Sequence, residues 1–318
     1  MSSSSIDEAT QEGRLNRFYA ATRRTPSPRV QRALLLAAAI VFVVGGWYAL
    51  RSLEVALDDV RWVPLVIAAL AGVPLTLLAN TLEYLVSAWM LRHRPAFVPA
   101  VQLTTISTAA NLLPLPGAFL VKVQGLRAMG SGYGKAFAST AVIALVWIGV
   151  SSVLAGILLA VSGRWVPAVV LLAAGVPSLV AARMWLTRAV PVPAERRRLA
   201  GLIVAVELFA VLTNAGRLVL ILIALDVDAS LGQALVLAVS SSLAAAAGIL
   251  PGGFGLRELI AALLAPLVGL AAAAGFAATA INRVIGIIML APVTAALALR
   301  SQPGSKSGDS LPETDKAA

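Results

Sequence analysis

Leu115-Pro116-Gly117-Ala118-Phe119 and Leu250-Pro251-Gly252-Gly253-Phe254 are two copies of one phrase, set 135 residues apart in a chain of 318. Lys122 follows the first phenylalanine by three residues, and Arg257 follows the second by three. Each copy interrupts an otherwise apolar stretch. Proline removes a backbone donor and glycine loosens the chain, so the pair ends a helix. Within a bilayer such a break is tolerated only where protein or a cavity shields the freed backbone. A helix break repeated with a cation predicts two broken membrane segments that arose by internal duplication, a transporter-like pattern.

Composition restricts the class of protein. Hydrophobic residues make up 59% of the chain and charged residues 13%, with a mean hydropathy of +0.89. That balance belongs to a polytopic membrane protein rather than a soluble domain. The net charge of +10 is concentrated in short segments between apolar runs. Cations so placed are topology signals and do not point to nucleic acid. With no cysteine, a disulfide framework, a thiolate metal site and a cysteine nucleophile are excluded.

Residues 1–32 are polar and carry Arg14, Arg17, Arg23, Arg24, Arg29 and Arg32. They read as a basic cytoplasmic segment before a first span over Ala33 to Leu50, about 27 Å of helix. The run ends in Gly45-Gly46-Trp47-Tyr48 without a small-residue cleavage site, which disfavours a secretory signal. In the following loop Arg51 and Arg61 face Glu54, Asp58 and Asp59, whereas Arg92 and Arg94 stand without a nearby acid. The arginine bias therefore puts the first loop outside and the second inside, with Trp62 to Leu91 as the second span.

Val98 to Leu113 is apolar up to the first Pro-Gly, and the short stretch from Gly117 to Met129 includes Lys122 and Arg127. About twelve helical residues reach roughly 18 Å against a hydrocarbon core of about 30 Å, so this segment reads as a re-entrant hairpin. Ala136 to Val161 then crosses outward. Trp165 to Met184 returns to a loop bearing Arg188 and the Arg196-Arg197-Arg198 run, and Gly201 to Leu225 crosses out again to Asp226 and Asp228. Leu231 to Ile249 and Leu259 to Leu270 flank the second Pro-Gly as a second hairpin. Ala271 to Leu299 crosses inward to a polar tail over 300–318, expected to be disordered.

The fold so read is an all-α polytopic membrane protein with six full spans and two re-entrant helical hairpins, or eight spans if each hairpin crosses. Three crossings separate the hairpins, so the first enters from the cytoplasm and the second from the opposite face. That is an inverted repeat inside a single transmembrane domain over 33–299, with halves of about 62–161 and 201–299. The same offset aligns Ser107 with Ser242 and Ala109-Ala110 with Ala244-Ala245. Both termini fall on the cytoplasmic side of the cell (plasma) membrane.

A helix that begins after a Pro-Gly break leaves its first N–H groups unpaired, with the positive end of the helix dipole beside them. Lys122 or Arg257 within the first turn makes each hairpin tip a cradle for a phosphate group. The plainer alternative is a tight turn with a cation reaching for the interface. Glu83, Glu207, Arg217, Arg257, Glu258 and Arg283 are ionisable residues within apolar segments, and Asn80 and Asn214 stand beside them. Three acids and three bases can neutralise one another as a static network or line a shared cavity. Glu83 falls one residue from the repeat equivalent of Arg217, which predicts opposite charges at similar depth.

Other motifs are weak. Gly130-Ser131-Gly132-Tyr133-Gly134-Lys135 is one residue short of the phosphate-loop spacing and lacks the following Ser or Thr. His93 is the only histidine, so no metal cluster and no catalytic dyad is indicated. The Arg196 to Arg198 run fits orientation as well as anionic headgroups. No cofactor is implied.

Leu250-Pro251-Gly252-Gly253-Phe254-Gly255-Leu256-Arg257-Glu258, with Arg283 downstream, resembles the signature of the lysylphosphatidylglycerol synthase transmembrane-region family. The resemblance runs over roughly Arg51 to Leu299. It implies a flippase-like integral membrane protein that moves aminoacylated phosphatidylglycerol or another lipid-linked substrate between leaflets. In the first half, Asn111, Pro116 and Gly117 match the family pattern. Its Arg, Gly and Glu positions are instead Ala118, Leu120 and Val121, and Ala136 to Val161 holds no ionisable residue.

The leading functional expectation is therefore a non-enzymatic protein that binds and translocates an anionic phospholipid or lipid-linked substrate. A different class is a non-transporting scaffold that presents such a substrate to a separate glycosyltransferase or aminoacyl transferase. An intramembrane enzyme needs a nucleophile or metal cluster that these residues do not supply.

Overall fold

A computed structural model describes residues 28–53, 59–112, 118–247 and 255–301, with the side chains of 28–35, 37–38, 110–112 and 298–301 outside that description. The described chain is helical without strands. In order the helices are α1 (Pro28–Ser52), α2 (Trp62–Met90), α3 (Phe97–Leu112), α4 (Ala118–Ala128), α5 (Tyr133–Val161), α6 (Trp165–Ala189), α7 (Pro193–Ala224), α8 (Leu231–Ala247), α9 (Leu256–Leu264) and α10 (Ala272–Ser301). Long runs of Ala, Leu, Val and Ile have no water to satisfy their backbone, and a helix does so internally.

Five of these helices, α2, α5, α6, α7 and α10, are long and apolar enough to cross a membrane. The expected span over Ala33 to Leu50 falls within α1. The start of α7 lies well before the expected Gly201. Pro193 at the first position and Glu195 in the first turn initiate a helix that carries the arginine run on its opening turns. The return limb of the second hairpin is the nine-residue α9 followed by a 3₁₀ turn, Ala265–Val268. Pro116, Gly117, Pro251, Gly252 and Gly253 lie outside the described residues. Helices α3 and α4 flank the first of these segments, and α8 and α9 the second.

Each hairpin packs its own two limbs together, α3 on α4 and α8 on α9. Across the molecule α3 lies against α10, α8 lies against α5, and α2 lies against α7. The most extensive contact is between α5 and α6, consecutive helices joined by a tight turn. Glycines set its closeness: a Cβ added at Gly175 would sit 3.1 Å from the Gly149 carbonyl oxygen and 2.9 Å from Val153 Cγ2. Small residues that let backbones touch are how helices associate where lipid supplies no hydrophobic drive. The other side of α6 exposes Val166, Val169, Val170, Val176 and Val180, a lipid-facing stripe.

The loops assort to opposite ends of α2. Before its start, the Arg61 N–H donates to Ala224 O at 3.0 Å and the Arg61 guanidinium pairs with Asp226. Past its other end, the His93 ring and Ser131 Oγ share a hydrogen bond of 2.7 Å. Loops that the arginine bias assigns to one face thus meet each other.

Replacing Gly175 by Leu should force α5 and α6 apart and lower thermal stability in detergent by about 1–3 kcal/mol. Gly46→Leu, where no atom lies within 4 Å of an added Cβ, should leave the melting temperature unchanged. Equal stability of both variants would remove close helix contact as a source of stability.

Candidate functional site

Helical spacing collects the polar residues of α2 and α7 onto single faces. Thr76, Asn80 and Glu83 stand at i, i+4 and i+7 on α2, and Glu207, Asn214 and Arg217 follow the same rule on α7. These helices pack together, so two polar stripes face an interior that is otherwise apolar. To them α4 adds Lys122, α9 adds Arg257 and Glu258, and α10 adds Asn282 and Arg283.

The ionisable groups form two clusters rather than one. In the first, Lys122 Nζ donates to Glu83 Oε2 at 2.7 Å, with both side chains partly exposed. Glu207 lies within reach of the fields of both. It is fully buried, and neither carboxylate oxygen has a hydrogen-bond partner. Glu83 and Arg217 form no pair with each other among the described residues. Repeat alignment gives equivalent positions, not contact, and the lysine of the first hairpin reaches Glu83 instead. Lys122 is also the fifth residue of α4, beyond the first turn to which it was assigned.

In the second cluster, Arg283 Nε donates to Glu258 Oε1 at 2.8 Å, both side chains sealed from solvent. Glu258 Oε2 has no partner. Arg257 carries Nε and Nη2 buried without an acceptor among the described residues, and the fields of Arg283, Glu258 and Arg217 reach it. Among the described residues this cluster sets Arg257, Arg283 and Arg217 against the single carboxylate of Glu258. An unmatched charge in low dielectric is costly, and a second anion relieves that cost. Gly255, at φ 76°, turns the chain into α9 and places Arg257 and Glu258 in its first turn, where unpaired N–H groups and the helix dipole add to the positive potential.

Arg217 is held by groups that sequence reasoning missed. Its Nη1 donates to Thr76 Oγ1 and its Nη2 to the Asn282 carbonyl, each at 3.2 Å. Asn282 Nδ2 donates to Asn214 Oδ1 at 3.2 Å, which joins α7 to α10. The aliphatic stem of Arg217 crosses α2 at Gly72, where an added Cβ would lie 2.4 Å from Arg217 Cγ. Gly72 ends a π-helical turn, Ala68–Gly72, and such turns recur at functional sites. No sequence pattern announces a π turn, and nothing in the sequence marks Thr76 or Asn282 as a partner of Arg217. Asn80 Nδ2 donates to Thr108 Oγ1 at 2.9 Å and so ties α2 to the first hairpin. The backbone of Asn111 belongs to α3; its side chain is outside the described residues.

Ser107 and Ser242, aligned by the repeat, are both buried but serve different partners. Ser107 Oγ donates to Ala118 O at 2.9 Å within the first hairpin, and Ser242 Oγ meets Ser151 Oγ at 2.7 Å between α8 and α5. Arg183, Arg196 and Arg197 gather around an aliphatic groove lined by Val146, Leu179 and Ile203. Its lining contains none of the buried charges.

Arg283→Met would leave Glu258 buried and uncompensated, which should lower thermal stability by about 3–5 kcal/mol. The double substitution Glu258→Leu with Arg283→Met should recover most of that loss, because no lone charge then remains. A single variant as stable as the wild type would show that the pair does not hold α9 to α10.

Compared with known proteins, the chain matches no family model and no curated protein.

Proposed function

We propose that this protein is a flippase-like membrane protein that binds the anionic headgroup of a phospholipid or lipid-linked substrate at the Arg257 cluster and carries it between leaflets. The observation that carries this reading is the buried, acceptor-less Nε and Nη2 of Arg257 beside two further arginines and a single carboxylate. Such a constellation holds two more cations than anions among the described residues. A phosphate at the start of α9 receives both the guanidinium donors and the free N–H groups of the helix. The resemblance of the Leu250 to Glu258 stretch to the lysylphosphatidylglycerol synthase transmembrane-region family agrees with a lipid-linked anion.

Alternating access follows from the inverted repeat in this proposal. Its support is the pairing of contacts: α3 with α10 corresponds to α8 with α5, and each hairpin folds on itself in the same way. The cytoplasmic assignment of both termini and of the 92–94 and 130–132 loops rests on the arginine bias. A second reading, the non-transporting scaffold that hands its substrate to a separate transferase, is favoured by one observation. Lys122 is already engaged by Glu83, so the lysine that corresponds to Arg257 is not free.

Purified protein in liposomes should accelerate leaflet exchange of labelled phosphatidylglycerol, and Arg257→Ala should abolish the acceleration. Identical exchange in wild type and variant would discard Arg257 as the headgroup site. Binding of the lipid without exchange would instead favour the scaffold. Because the chain contains no cysteine, a Ser131→Cys variant should react with an impermeant thiol reagent from one side of the membrane only and a Ser230→Cys variant from the other. Labelling of both from the same side would overturn the inverted arrangement.

A further inference from the structure

We propose that Glu207, together with the Glu83–Lys122 pair, holds a dissociable proton whose presence tightens anion binding at the Arg257 cluster. The inference rests on the anion-site reading and adds the ion that moves with the anion.

Glu207 is the least compensated acid in the described interior. It is fully buried, and both oxygens lack a hydrogen-bond partner. A carboxylate in such a place has neither water nor donor to stabilise it, whereas a carboxylic acid needs far less. The elements packed against α7 supply no dedicated counter-charge. From α2 come Glu83, already paired with Lys122 of the first hairpin, and Tyr84, whose hydroxyl lies beside Gly125 of α4. The ionisable groups of α5 are Tyr133 and Lys135 at its start, and those of α6 are Arg183 and Arg188 near its end. Arg283 on α10 is bonded to Glu258, and α8 carries no ionisable residue. Arg217, on α7 itself, spends its Nη donors on Thr76 and Asn282. The charges whose fields reach Glu207 are Glu83 and Lys122.

Protonated, the cluster is neutral: one carboxylate, one ammonium and one carboxylic acid. Ionised, it carries an excess negative charge that no donor meets. Glu83 and Lys122 keep 12% and 16% of their side chains exposed, which makes the pair the route by which a proton reaches Glu207. The step needs no other reactant. A proton binds the Glu207 carboxylate from water and returns to water.

The coupling to the anion is electrostatic. Glu207 and Arg217 stand ten residues apart on α7, about 15 Å along the axis. At an effective dielectric near 20 a unit charge at that distance changes the affinity for a monovalent anion roughly sixfold. Adding the proton removes a negative charge, so the anion binds more tightly at low pH and less tightly as pH rises through the titration of the cluster. By reciprocity, the anion tightens proton binding by the same factor.

The test uses the full-length protein in phosphatidylcholine nanodiscs titrated with fluorescent phosphatidylglycerol from about pH 5 to about pH 8, where a phosphodiester keeps its charge. The wild type should bind in an Arg257-dependent manner that weakens roughly sixfold across the range. Glu207→Gln, which mimics the protonated acid, should bind tightly at every pH. His93→Asn, at the one histidine, should retain the wild-type dependence. An infrared difference spectrum between the acid and alkaline ends of this range should show a protonated carboxyl band that disappears as pH rises in the wild type and that Glu207→Gln lacks. Arg257-dependent binding that is insensitive to pH, a pH dependence that survives Glu207→Gln, or a missing carboxyl band each overturns the proton site and spares the anion site. Binding that Arg257→Gln does not weaken at any pH overturns both.

Discussion

A guanidinium with two nitrogens sealed from water and no acceptor is the constraint around which this interior is arranged. Arg257 cannot be relieved by Glu258, because that carboxylate already receives Arg283 Nε. It cannot be relieved by Arg217, which adds to the positive potential. The surroundings are built to keep this condition rather than remove it. Gly255 begins α9 immediately before Arg257, the Glu258–Arg283 pair anchors the short helix to α10, and Gly72 admits the stem of Arg217 against α2. Each of these features concentrates positive charge where burial makes it most costly.

The two hairpins each pack limb against limb but differ in chemistry. In the first, the hairpin lysine meets a glutamate of α2 and the charges cancel. In the second, the hairpin arginine is left open while its neighbouring glutamate is satisfied by another helix. Helix α7 joins them, since it carries Glu207 toward one cluster and Arg217 toward the other. One helix therefore borders both clusters, and the Asn282–Asn214 hydrogen bond joins it to α10.

Much of the frame is legible in the sequence for physical reasons. A bilayer imposes long apolar helices, so α2, α5, α6 and α10 stand close to the expected bounds, and Pro-Gly inside apolar sequence marks each hairpin. The start of α7 is displaced because charged opening turns look like a loop when only hydropathy is weighed. Residue types in apolar context also disclose which side chains carry charge at depth. Partners are another matter, since an offset between repeats says which positions correspond and nothing about which side chains touch. Lys122 with Glu83, and Thr76 and Asn282 with Arg217, depend on how helices lean and rotate. Those are tertiary facts with no local trace.

The π turn at Ala68–Gly72 alters the phase of a helix. It accommodates one residue more than an α-helical turn would, so the helix beyond it is rotated by about 100° relative to an uninterrupted one. Thr76, Asn80 and Glu83 are in phase with one another but out of phase with the turns that begin at Trp62. Removing any single residue between Ala68 and Gly72 would restore a regular helix and swing all three away from α7 by about a quarter turn. Hydropathy, charge and span length would hardly change. The number of residues in this segment is thus a determinant in its own right, and a one-residue deletion here would matter more than most substitutions along the same helix.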